Sequence, residues 1–150
     1  MAHEPDRASI NKPFPVPELT GAYMLGEDVS LSNHGLLHIL TAYDHWALDV
    51  ERFRHAYHIV FQRHDVLRGT ITIDGQMQFL PNLQPDIQVH DLRTATAQEA
   101  LDFLQDRWVS WSNRPALSPP YLRFMIVQLP NGVSRVHRSF RSMTMDGTSM

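Results

Sequence analysis

The chain has 150 residues, 43% of them apolar and 19% charged, enough for one domain with a single buried core. Its formal charge is −3 and only Lys12 among the 13 basic residues is a lysine, so the basic stripe of a nucleic-acid binder is missing. No apolar run nears the roughly 20 residues of a membrane span, the first residues lack a signal-peptide core, and with no cysteine there is no disulfide, thiolate metal site or Cys nucleophile; a cytoplasmic location is the expectation.

Residues 1–17 are polar and then proline-rich ("KPFPVPE"), which predicts a flexible tail and extended arm ahead of a lobe spanning residues 18–150. "LTGAYMLG" fits one short helix from Leu19 to Leu25, stopped by Gly26, and "HGLLHILTAY" reads as a strand ending near Tyr43. Asp49 can cap a helix whose buried stripe is Val50, Phe53, Tyr57, Val60 and Phe61, leaving Arg52, His55 and Gln62 outside. "VLRGTITIDGQMQFL" reads as a β-hairpin, with Asp74-Gly75 supplying the positive φ angles of a tight turn. "PDIQVHDL" is a further short strand. Thr96 and Glu99 form a capping box for a second amphipathic helix carrying Ala97, Ala100, Leu101, Leu104 and Trp108. "YLRFMIVQL" and "VSRVHRSFR" make a second hairpin around Pro130-Asn131-Gly132. This order predicts an α/β fold: a mixed, mainly antiparallel sheet with helices packed on one face.

Four stretches, taken in chain order, stand out as motifs: "AYMLG" (Ala22 to Gly26), "RHDVLRGTITIDGQMQFL", "DLR" (Asp91 to Arg93) and "RVHRSFRSMTMDGTSM". On these the chain resembles the N-terminal lobe of nonribosomal-peptide-synthetase condensation domains, and more closely their heterocyclization branch. The Arg-His-x-x-Leu-Arg segment is the more specific part, and the likeness runs from about residue 13 to the end. The opening signature is shortened, and Glu27 stands where an Arg is usual. The resemblance implies one lobe of a chloramphenicol-acetyltransferase-like pair, between which carrier proteins deliver thioester-bound acyl and aminoacyl groups. It implies a parent that forms amide bonds or thiazoline and oxazoline rings, with the phosphopantetheine arm supplied by the carrier and no metal or nucleotide. The expected partners are a peptidyl or acyl carrier protein or an adjacent synthetase domain. Because the sequence stops at Met150 within the expected next helix, the expectation is either a fragment or a natural half-domain, inactive by itself.

The resemblance also places a motif at the end of the chain. Condensation domains read His-His-x-x-x-Asp-Gly at this turn; aligned on Asp146-Gly147, the histidine positions fall on Arg141 and Ser142. Neither is a base at neutral pH, since Arg stays protonated and a Ser hydroxyl does not accept the proton. His137 lies five residues before Ser142, roughly 16 Å along an extended strand, and on the other face. In the heterocyclization pattern Asp-x-x-x-x-Asp, Asp146 is the second Asp and Arg141 holds the first position. The family pairs this Asp with an Arg, so a buried strut from Asp146 to Arg63 or Arg68 is the preferred reading over catalysis by Asp146. Arg141 closing on Asp146 itself is the alternative.

Other features take plain readings. The spacings His34/His38 and His55/His58 suit chelation on a helix, but no Cys or carboxylate completes either set, so hydrogen-bonded or solvated histidines are expected. His64 reads as a helix-end residue, Ser142 and Ser149 as turn residues without a base, and Trp108 with Trp111 as packing against the sheet. A second functional class is a non-catalytic scaffold. Its exposed apolar face would meet a neighbouring synthetase domain, a carrier protein, a complementing second lobe or a second copy of the chain. A free-standing acyltransferase fails because Ser142 occupies the histidine position.

Overall fold

A computed structural model describes residues 9–18, 20–22, 38–72, 74–112 and 118–141. The predicted helix Leu19–Leu25 falls largely outside these, as do Tyr23 to Gly26 of the opening signature, His34, and Ser142, Asp146, Gly147 and Ser149. The described elements are β1 (Phe14–Pro15), β2 (His38–Trp46), α1 (Val50–Arg63), a 3₁₀ turn (Asp65–Arg68) and β3 (Gly69–Ile71). They continue as β4 (Gln76–Phe79), β5 (Asp86–Asp91), α2 (Ala97–Ser112), β6 (Leu122–Gln128) and β7 (Val133–Arg141).

The main sheet has the order β2-β7-β6-β5. Its β2–β7 and β6–β7 ladders are antiparallel and β5–β6 is parallel. A three-stranded sheet, β1-β4-β3, stands beside it. The mixed, mainly antiparallel α/β architecture is therefore the one the pattern predicts. The arm is extended, but not loose where it is described: Phe14 and Pro15 pair with Met77 and Gln76, and the Phe14 ring meets Phe79 edge-on at 5.2 Å. Strand β2 runs three residues past Tyr43, to Trp46.

The placement of the helices differs from the expectation of one face. Strand side chains alternate between faces, and the β6–β7 register puts Leu122, Phe124, Arg138 and Phe140 on one side. There α1 packs, with Tyr57 and Phe61 against Leu122 and Phe140, and the Phe53 and Tyr57 rings edge-on to Phe124. Arg123, Met125, Val127, His137 and Ser139 point the other way, and α2 covers them through Ala100, Phe103, Leu104 and Trp111. The sheet is thus sandwiched between the two helices. Both faces of β6 are apolar, so each needs its own cover.

Local expectations are refined too. The Asp49 carboxylate accepts from Arg52 N at 3.0 Å and caps α1, but Val60 is exposed because Tyr57 and Phe61 already fill the contact. In α2 the capping box forms as expected, Glu99 accepting from both the Thr96 N–H and hydroxyl at 2.8 Å. Leu101 and Trp108 sit at the exposed margin of its stripe, while Trp111 is buried. Among the described residues of the β3–β4 turn only Gly75 takes a positive φ, +71°; Asp74 does not, because the connection spans Thr72 to Gln76 rather than two residues. Gly132 (φ +81°) closes the β6–β7 hairpin.

Candidate functional site

Strand β7 carries the chain toward the terminal motif, and its last described residue is Arg141, the first motif position. Arg141 is buried, and its N–H donates to the Tyr121 carbonyl at 3.1 Å. Around this end of the sheet four elements bring polar groups together beneath α2. Arg123 comes from β6, Ser139 and Arg141 from β7, His38 from the start of β2 and Asp86 from the start of β5.

The contacts define what this cluster can do. His38 Nε2 lies 2.7 Å from Ser139 Oγ, and Arg123 donates to the same oxygen at 3.3 Å. Arg123 also approaches Asp86 at 4.0 Å, with its guanidinium 4.9 Å from the Trp111 ring centre. Burial first, then the charges of Arg141 and Arg123, lower the His38 pKa to about 4, so its imidazole is neutral at neutral pH. The Ser139–His38 spacing meets the distance of a nucleophile and its base. Ser139 is only 1% exposed, however, so a substrate carbonyl does not reach it. The cluster is a cationic, hydrogen-bonded anchor for the end of β7 rather than a proton-transfer pair.

The sequence-based site residues divide accordingly. Arg141 lies in the cluster, while Ser142, Asp146 and Gly147 lie outside the described residues. Arg68 is buried and donates to the Phe61 and Gln62 carbonyls at 2.8 and 2.6 Å, and to Asp65. Its side chain thus ties the end of α1 to the 3₁₀ turn. Arg63 is exposed in the last turn of α1. His137 is buried midway along β7 on the α2 face, its ring against Trp108 and its pKa lowered chiefly by burial. Arg123 and Ser139 were missed by the motif reading. Their only signal was a polar residue at an inward position of an otherwise apolar strand, as in "YLRFMIV". His38 is hydrogen-bonded, as expected of it. Among the described residues no three His, Cys, Asp or Glu side chains gather into a metal site, and no helix is long and apolar enough to cross a membrane.

No protein-family model matches the chain. Its fold is shared with a part of nonribosomal peptide synthetase condensation-type domains. The starter condensation domain of rhizomide synthetase RzmA superposes with a TM-score of 0.69 at 16% identity, over 93% of this chain and 33% of that one. The likeness is stronger in the cyclization branch. The cyclization-docking bidomain of EpoB from Sorangium cellulosum matches with a TM-score of 0.85 and 27% identity, covering 94% of this chain and 29% of that chain. Phenyloxazoline synthase MbtB of Mycobacterium sp. (strain MCS) is 27% identical over 141 residues, 91% of this chain and 12% of the relative. The chain is therefore similar to a part of a synthetase cyclization/condensation domain, and spans about an eighth of that curated relative's length.

Proposed function

We propose that residues 18–150 serve as the N-terminal lobe of a heterocyclization-type domain, with residues 1–17 as its arm, and that this lobe docks carrier-bound acyl or peptidyl thioesters without itself moving protons. The phosphopantetheine arm belongs to the partner carrier protein. One observation carries the reading: β7 delivers a buried guanidinium, Arg141, to the first motif position, beside a second guanidinium and a histidine kept neutral. A general base poised near neutral pH has no counterpart among those described groups. At the second motif position the sequence has Ser142, and at the Asp position Asp146, which in this reading is a strut rather than a catalyst.

The test is a carrier protein loaded with a dipeptidyl-cysteine thioester, incubated with the chain and followed by mass spectrometry. The substrate is expected to keep its mass; loss of one water in the presence of the chain would overturn the proposal.

A second reading, a non-catalytic interaction domain, is favoured by strand β2. Among the described residues it is an edge of the main sheet, and it exposes Tyr43 and, at 73%, Trp46. Exposed aromatic residues on an open edge invite pairing with another chain. Concentration-dependent mass by light scattering, abolished in Trp46→Lys, is the expected result if a second copy is the partner; a constant monomer mass rejects self-association.

A further inference from the structure

A cavity of about 430 Å³ opens between α2 and the β2–β7 edge. That volume lies within the roughly 300–1,000 Å³ of small-molecule sites. Its walls are Ala42, Leu104, Trp108 and Val109, with Gln105, Arg135 and His137 supplying the polar groups. We propose that this cleft binds a small uncharged ring compound bearing one hydroxyl or amide group, gripped by the apolar walls and hydrogen-bonded to His137.

His137 supplies the main argument. It is 4% exposed, and neither ring nitrogen has a hydrogen-bond partner. A buried polar group left unpaired is costly, so one in the wall of a cavity marks a place where a ligand atom completes the structure. Burial and the nearby Arg135 keep the imidazole neutral, giving one donor and one acceptor rather than a charge. The remaining cation is already matched: Arg135 donates to both Asp44 oxygens at 2.7 and 2.8 Å. An anionic ligand would find no unmatched positive charge in these walls, whereas a neutral ring finds indole and aliphatic surface. The Trp108 ring lies 5.9 Å from the His137 ring and is 40% exposed, an aromatic wall against which a ligand ring packs beside the imidazole.

The inference needs neither a carrier protein nor a thioester, so it stands or falls apart from the synthetase reading. Its test pairs two probes of one shape, 4-methylphenol and toluene, titrated into the full chain while the His137 ring nitrogens are followed by NMR. Saturable binding is expected at one site, with 4-methylphenol favoured about tenfold for its one extra hydrogen bond. In His137→Phe that preference should vanish. Val109→Arg, at a position 59% exposed on the rim, should block both probes without disturbing the core, and it keeps the test decisive if His137→Phe fails to fold. The proposal is overturned by unsaturable binding, by equal affinity of the two probes for the wild-type chain, by a preference that survives His137→Phe, or by a Val109→Arg chain that binds as before.

Discussion

At the residue scale, the polar cluster makes the protein sensitive to acid. The His38 pKa is depressed from the ordinary 6.5 to about 4 in the folded chain, so between those values the unfolded chain binds the extra proton. The contribution of His38 is complete above 6.5, is lost as the pH falls toward 4, and changes no further below. His90 and His137, also lowered by burial, act in the same direction. Urea midpoints measured across this window should fall with pH for the native chain, and fall less steeply for His38→Gln. Equal slopes would mean that His38 is not held neutral by its neighbours. The motif alignment could name Arg141, because the turn is read by spacing from Asp146-Gly147. It could not name Arg123, Ser139 or His38 as its companions, since they meet only through the registers of β6 and β2 on β7. Long-range pairing of this kind leaves no local mark in the sequence.

At the element scale, helix ends were legible because capping is local chemistry. Thr96 and Glu99 satisfy each other and the first N–H groups of α2 within four residues, and Asp49 does the same for α1. Thr96→Ala should therefore cost about 1 kcal/mol in urea denaturation; a change near zero would mean the box does not hold the helix start. The corner between β2 and α1 was not legible. Ala47 takes a φ of +51° there, a left-handed conformation that costs an L-residue about 1–2 kcal/mol. Ala47→Gly is expected to leave stability unchanged or raise it by about 1 kcal/mol, against the usual loss from adding a glycine. The two turns show the same limit: "DG" and "NG" mark hairpins correctly, but the width of the β3–β4 connection, and with it the conformation of Asp74, follows from the Ile71–Met77 pairing.

At the scale of the whole molecule, the two helices occupy opposite faces of one sheet, and strand β6 contributes to both cores. Sequence periodicity did not separate the faces, because "LRFMIVQ" is apolar on both sides and alternation carries no sign. Ring contacts separate them: Phe53 and Tyr57 meet Phe124 from one side, while Trp108 meets His137 from the other. This arrangement makes cooperativity testable with the natural probes. All three tryptophans report on the α2 side, Trp108 and Trp111 from the helix and Trp46 through its pairing with Val133 of that core. Phe61, by contrast, is fully buried on the α1 side. Phe61→Ala removes a large ring from a core it shares with Leu122 and Phe140, a loss of about 3–5 kcal/mol. If the shared strand couples the two cores, tryptophan fluorescence should report that whole loss from across the sheet, with the same midpoint as helix circular dichroism. A tryptophan transition that stays in place while the helical signal moves would show the faces unfolding separately, and β6 would then not be the element that unites them.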